Sequence, residues 1–393
     1  MKILTPLLAL AITTASFAQP TPPPRPPSPR QTGGPLAGLT PTEMAEFRDG
    51  LDDFRQVETV DGGLGPIFND TSCIVCHNSG GAGGASARTV TRFGRTTNGV
   101  FDPLTARGGS LLQARAIDPA FREVVPREAN TIARRVATPL FGAGLIEAIP
   151  DATLLALAAA PKPDGVRGRA ALINDVTTGT QRVGRFGWKN QQATLLAFAA
   201  DAYVNEMGVT NRFFPEENAP NGNTALLARA DQILDPEDEV NPATDKADID
   251  RAAAFMRLLA PPSRNTVTAD VVAGERVFES LNCTACHTPA LTTGPSPIAM
   301  LSQKRVALYS DLLLHDMGKL GDGIVQGPAG ARDMRTAPLW GLSSRPVYLH
   351  DGRTNSLDAA IKAHDGEAAA ARNRYVKLRP LQQQQLAAFL RSL

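Results

Sequence analysis

Two stretches of this chain share one pattern, Cys73-Ile74-Val75-Cys76-His77 and Cys283-Thr284-Ala285-Cys286-His287, and together they use all four cysteines. Two thiols one helical turn apart, followed at once by an imidazole, form the attachment signal of c-type haem. The sulfurs add across the two vinyl groups, and the histidine ligates the iron from the proximal side. A chain that carries this signal twice has to wrap two flat apolar cofactors, so Cys73, Cys76, His77, Cys283, Cys286 and His287 are the expected cofactor-binding residues. A single all-thiolate zinc site would leave both histidines unexplained. A thioredoxin-like redox pair needs a βαβ context that the sequence does not offer.

Composition fits this reading. Aromatic residues make up only 5% of the 393 residues, and a haem can supply apolar surface in their place. Forty basic residues against thirty-nine acidic ones leave a formal charge of +1, which gives no electrostatic basis for binding nucleic acid or an anionic membrane. Residues 1–18 read as a secretory signal: Lys2 is the positive start, Leu4 to Ile12 the apolar core, and Ala15 to Ala18 the small residues before cleavage near Gln19. The apolar run is too short to span a bilayer, and no later stretch replaces it. The expected location is therefore the periplasm, with no membrane span after cleavage. Residues 19–39 follow as a proline-rich, solvated tether.

The folded part is expected from Thr40, where Thr-Pro-Thr-Glu marks a helix start. The glycine-rich run 79–84 lets backbone pass close to a flat cofactor. Residues 90–150 give mixed signals and read as irregular structure with short strands or helices. Further helices are expected at 151–160, capped by Asp151, at 191–203 and at 248–259, the last stopped by Pro261 and Pro262. Ala252-Ala-Ala-Phe-Met-Arg-Leu-Leu259 echoes Leu386-Ala-Ala-Phe-Leu-Arg-Ser-Leu393, and Gly63 to Phe68 is matched with Gly274 to Phe278 as the lead-in to each motif. The fold class that follows is mainly α: two cytochrome c-like haem domains, 40–262 with a long insertion and 263–393.

Histidine is scarce. Beyond His77 and His287 there are only His315, His350 and His364, all in the second half. The first iron therefore has methionine (Met44, Met207 or Met256) as its second ligand, or an open position able to react with peroxide or dioxygen. The second iron can be bis-histidine and store electrons.

These residues resemble the bacterial di-haem cytochrome c peroxidase superfamily, and within it the di-haem oxidoreductase branch. The resemblance runs from about Thr40 to the C-terminus. It rests on Phe68-Asn-Asp-Thr-Ser-Cys-Ile-Val-Cys-His77, Arg185-Phe-Gly-Trp-Lys-Asn-Gln-Gln-Ala-Thr-Leu195, Asn205-Glu-Met-Gly208, Asp311-Leu-Leu-Leu-His-Asp-Met-Gly318, Arg335-Thr-Ala-Pro-Leu-Trp-Gly341 and Tyr348-Leu-His-Asp-Gly352. It implies that Glu206 is the acid–base above the open iron and that Trp188 relays electrons between the haems. The family spacing after His350 lands on His364 as distal ligand of the second haem, with Met317 as the alternative and His315 and His350 as surrounding residues near the propionates. The implied cofactors are two covalently bound haems and a calcium between the domains. The implied partners are hydrogen peroxide or another small oxidant and a small redox donor protein.

Two departures qualify the expected activity. Histidine stands where peroxidases of the superfamily carry methionine, which lowers the potential of the second haem. Their glutamine beside the catalytic glutamate is missing from 195–201. The alternative functions are oxidation of a partner protein's residue with haem-stored equivalents, as in the methylamine-dehydrogenase maturation enzyme, and plain electron transfer with both irons six-coordinate.

Overall fold

At Thr40 the hydroxyl accepts from the Glu43 amide at 3.2 Å while the Glu43 carboxylate accepts from the Thr40 amide at 2.7 Å. This capping box opens helix α1 (Pro41–Arg55) where the sequence signals it. A computed structural model describes residues 32–393, which form one compact unit. The remaining main helices are α2 (Asp151–Ala159), α3 (Leu195–Ala202), α4 (Thr224–Ala230), α5 (Asp248–Leu258), α6 (Ala269–Ser280), α7 (Leu357–Ala363), α8 (Ala369–Tyr375) and α9 (Pro380–Ser392).

Two helix crossings organise these elements, α1 on α5 and α6 on α9. A Cβ on Gly50 would lie 2.2 Å from the Arg251 carbonyl, and one on Gly274 would lie 1.9 Å from the Gln385 carbonyl. Only glycine permits backbones this close. At each crossing a phenylalanine about one helical turn after the glycine packs on its opposite number: Phe54 on Phe255 at 4.7 Å between centroids, and Phe278 on Phe389 at 5.2 Å. Each also reaches its motif histidine, His77 at 6.1 Å and His287 at 6.2 Å. The internal repeat is thus present, but its register differs from the sequence reading. Gly50 to Phe54 is the counterpart of Gly274 to Phe278. Gly63 to Phe68 instead ends in a short strand, Ile67–Phe68, paired with Arg115–Ala116.

The segment between α1 and α5 holds more sheet than its sequence suggests. Strand β1 (Thr89–Thr97) pairs antiparallel with β2 (Val100–Asp102), β3 (Leu111–Leu112) and β4 (Thr131–Val136). Broken periodicity and glycines hid these short strands, which gain their stability from pairing rather than from an alternating pattern. A second hairpin joins β5 (Ala171–Asp175) to β6 (Thr180–Gly184).

Three local expectations change. Asp151 does not cap α2, whose N-cap is Pro150. Its carboxylate is taken by Arg182 at 2.8 Å, by the Val183 amide at 3.0 Å, and by Arg185. Helix α3 starts at 195 rather than 191, because the Arg185 and Phe186 amides both bond the Gln192 carbonyl and close a loop there. Residues 32–39 of the expected tether are not solvated throughout. The Leu36 amide bonds the Leu258 carbonyl at 2.8 Å, the Ala260 amide bonds Gly34 at 2.9 Å, and Leu36 is buried. The expected leader and the rest of the tether lie outside the described residues. No helix among the described residues is long and apolar enough to cross a membrane.

Candidate functional site

The second motif forms a tight turn, Cys283–Ala285, entered through Asn282 in the left-handed region. It places Cys283, Cys286 and His287 on the wall of a cavity of about 1440 Å³. His364, at the end of α7, lines the same cavity. His287 bonds the Tyr309 carbonyl through Nδ1 at 3.0 Å, and His364 bonds the Ala360 carbonyl through Nδ1 at 2.8 Å. An Nδ1–H given to a carbonyl fixes the tautomer and leaves Nε2 with a free lone pair, the state a metal-ligating imidazole needs. Burial favours that neutral state: it lowers His287 to about 4, with His364 adding to the fall, and lowers His364 as well. Two free thiols and two such imidazoles on one large cavity fit a haem with two axial histidines.

His315 is differently placed. Its Nε2 faces Asp311 at 3.0 Å and its Nδ1 faces Glu367 at 2.8 Å. Burial opposes its charge, but the hydrogen bonds to Asp311, Cys286 and Glu367 outweigh burial and push it up to about 12. An imidazolium held between two carboxylates has no lone pair for iron. His350 and Met317 also line the cavity, and burial lowers His350 to about 4. All four histidines other than His77 therefore surround this one space.

The first motif is a helical turn, Cys73–Cys76. Burial lowers His77 to about 4; the Gly84 and Thr138 backbones lie near its ring, but Nδ1 is sealed from solvent without a hydrogen bond. The donor set of this motif equals that of the second, but Cys73, Cys76 and His77 line neither the cavity of the second motif nor the smaller one next to it. A cavity of about 710 Å³ is lined by Ser86, Thr138, Leu140, Phe186 and Phe198 among others, and His77 is not on its wall. None of Met44, Met207 or Met256 lines it either, and Met207 and Met256 are buried in the hydrophobic core.

Glu206 is brought to the first motif by the backbone. Helix α3 runs into a single π turn, Tyr203–Met207, a local widening that often marks functional positions. Gly208 ends it at φ 71°, and a Cβ there would meet Gly65 at 2.8 Å. The Glu206 carbonyl accepts from the Asn69 and Asp70 amides at 2.8 and 3.2 Å, and its carboxylate accepts from Asn69 Nδ2 at 2.7 Å. The chain just before Cys73 thus grips this residue at both ends. Burial raises the Glu206 pKa, opposed by Arg92 and Asn69 and reinforced by Asp201. Cys76 is close enough to be affected: burial and then Glu206 push it up to about 11.

Trp188 lines both cavities. Its Nε1 donates to the Val136 carbonyl at 2.8 Å, and its ring stands edge-on to His350 at 6.2 Å. The next residue, Lys189, is fully buried. It bonds Asp322 at 3.0 Å and the Gly330 and Asp333 carbonyls, while Arg135 bonds the other Asp322 oxygen at 2.7 Å. The indole is thereby fixed between β4 and the 322–333 loop.

Several residues escaped the sequence reading. Asn69 lies inside a recognised segment but carries no signal of its own. Arg335 and Arg345 line both cavities, although an arginine in sequence reads as surface. Glu217, Asp235 and Glu237, whose carboxylates lie within 4.8 Å of one another, are spread over a loop-rich region with no motif spacing.

Residues 123–393 match the family model described as "Di-haem oxidoreductase, putative peroxidase". The sequence has no match among curated proteins. Among solved structures, hydrazine synthase from Kuenenia stuttgartiensis is 15% identical with a TM-score of 0.42, over 99% of this chain and 100% of that one. The diheme peroxidase BthA from Burkholderia thailandensis is 13% identical with a TM-score of 0.39, over 90% and 86%. A MauG-like protein associated with microbial copper homeostasis is 16% identical with a TM-score of 0.31, over 65% and 89%.

Proposed function

Because the chain belongs to the di-haem oxidoreductase family, we propose that it is an exported, periplasmic peroxidase that reduces hydrogen peroxide at the first motif and receives electrons through the second. Cys73 and Cys76 would hold one haem covalently, and His77 would ligate its iron. Cys283 and Cys286 would hold the other, with His287 and His364 as the imidazoles available to its iron. When bound, haem supplies the redox-active iron and the capacity to hold oxidising equivalents.

The observation that carries this reading is the unequal surroundings of the two motifs. The second has a further imidazole with a free Nε2 on its own cavity wall, so His287 and His364 would both be available to ligate its iron. The first has no second imidazole, since all other histidines surround the second cavity. What lies near it is a buried carboxyl on a π turn. Burial makes this carboxyl a better proton acceptor than an exposed one, so Glu206 is assigned to move a proton from one peroxide oxygen to the other while Asn69 Nδ2 aims it. Two electrons and two protons convert the peroxide to two waters. The electrons enter from a small donor protein and pass by Trp188.

Substitution tests the assignment. Glu206→Gln keeps the hydrogen bond from Asn69 but cannot shuttle a proton. It is expected to lower peroxide turnover about 10²- to 10⁴-fold with both haem spectra unchanged. Low-temperature EPR of the ferric protein should show one high-spin signal that peroxide removes beside one low-spin bis-histidine signal. Unchanged turnover in the variant, or two low-spin signals indifferent to peroxide after one-electron reduction, would refute the reading.

A further inference from the structure

One short segment grips the second motif from outside its cavity. The Tyr309 carbonyl accepts from His287 Nδ1 at 3.0 Å, and the Asp311 amide donates to the Cys286 carbonyl at 2.9 Å. Lys162 donates to the Ala285 carbonyl at 2.9 Å and pairs with the Asp311 carboxylate. His315 completes the grip. Its Nδ1 lies 3.5 Å from Cys286 Sγ and 2.8 Å from Glu367, and its Nε2 lies 3.0 Å from Asp311. The segment is stiff, because Tyr309 and Leu312 are held in the left-handed region at φ 51° and 58°. The Ser310 hydroxyl locks it there, donating to the Thr336 carbonyl at 2.6 Å and accepting from the Leu312 amide at 2.9 Å. At the first motif, by contrast, His77 Nδ1 is sealed without a hydrogen bond. Burial apart, the charges bearing most on Cys76 are carboxylates, Glu206 and Asp70.

Placement fixes the charge of His315. Each ring nitrogen faces a carboxylate, and an ionised carboxylate only accepts, so both nitrogens carry protons. The His315 and Asp311 side chains are 1% and 0% exposed, so solvent does little to screen this charge. With Lys162, two cations answer the two carboxylates Asp311 and Glu367, and the cluster balances only while His315 is charged. The remaining contact of the ring is sulfur. Cys286 Sγ, a thiol here, stands for the thioether that joins an attached haem. A cation beside that sulfur favours the ferrous iron, whose site carries one positive charge less than the ferric one.

We propose that His315 is a permanent cation on the Cys286 sulfur that raises the reduction potential of the second haem, offsetting the lowering by a second axial imidazole. This rests on the two-haem reading above. Nδ1–H is shared between the sulfur and Glu367, so Glu367 works against His315, and the two side chains set the potential in opposite directions. His315 acts as a positioning residue at the cofactor, not as a ligand of its iron.

Spectroelectrochemical titration of the haem-loaded protein tests this with His315→Gln and Glu367→Gln. The first removes a cation and is expected to lower the midpoint potential of the second haem. The second removes an anion and is expected to raise it. The first haem and the low-spin bis-histidine EPR signal are expected to stay unchanged in both variants. Loosened packing alone would move both variants the same way. Shifts of one sign, no shift in either variant, or equal shifts at both haems would therefore overturn the proposal. If the variants fail to load haem, heteronuclear NMR of the reduced, carbon monoxide-bound unsubstituted protein decides. Two protonated ring nitrogens on His315 support the fixed cation, and a single one overturns it. A pyridine haemochrome assay giving fewer than two haems per chain would defeat the two-haem reading itself, a failure distinct from that of the cation.

Discussion

His364 shows how far a single side chain can decide the chemistry. Its Nδ1 is tied to the carbonyl four residues back, on its own helix, so the ring is aimed before any cofactor arrives. Exchanging imidazole for thioether raises the potential of a haem, since sulfur favours the ferrous state. His364→Met is therefore expected to raise the midpoint potential of the second haem and to remove the bis-histidine EPR signal, leaving the first haem unchanged. An unaltered low-spin signal would exclude His364 as the ligand. The sequence singled out His364 because a rare residue type fell at the family's interval from a motif, and the fold brings it to the cavity wall that carries the second motif. Arg335 and Arg345 carried no such signal. Their burial depends on cavities formed by segments far apart in the chain, and nothing in the identity of an arginine announces that it will be desolvated.

At the scale of elements, the two glycine crossings were half legible. The closing helices were recognisable from their shared Ala-Ala-Phe pattern. The opening helix of the first half was misaligned because its phenylalanine is separated from the motif by a longer loop than in the second half. The structure supplies the missing constraint, the close backbone approach. Helix propensity alone makes Gly274→Ala stabilising by about 1 kcal/mol. The crossing predicts the opposite sign. A Cβ placed 1.9 Å from the Gln385 carbonyl forces α6 and α9 apart, and overpacking of this kind costs about 1–3 kcal/mol. Urea unfolding distinguishes the two. The sheet insertion offers a second case. Asp322 neutralises both Arg135 and Lys189, all three being buried, so Asp322→Ala strands two cations around the Trp188 loop. Breaking a buried pair costs about 3–5 kcal/mol, and the same unfolding measurement reads it.

For the whole molecule, net charge is nearly balanced, so pH acts through individual buried groups rather than through general repulsion. Burial, then the neighbouring Glu237, raises Glu217 to about 9, and burial with Asp248 raises Asp53 to about 7. Both values lie above those of an unfolded chain. Above about pH 7, where the buried histidines lowered to about 4 are neutral in the native state and largely neutral in the unfolded one, the native protein therefore binds more protons than the unfolded one, and stability falls as pH rises from about 7 to 9. Asp311 and Asp322 work the other way. Burial opposes their ionisation, but His315 and Lys162 at the first and Arg135 and Lys189 at the second hold them below the usual range, so their contribution is lost only as the solution turns acid. Urea midpoints should accordingly decline from pH 7 to pH 9, and Glu217→Gln should flatten that decline. The same loop offers a test of the expected calcium, because Glu217, Asp235 and Glu237 converge there. A cation held by these carboxylates would replace their protons, so calcium at pH 8 would raise the urea midpoint and abolish the effect of Glu217→Gln on the slope. A midpoint indifferent to calcium would remove the ion from this loop and leave proton uptake by Glu217 as the cause of the decline.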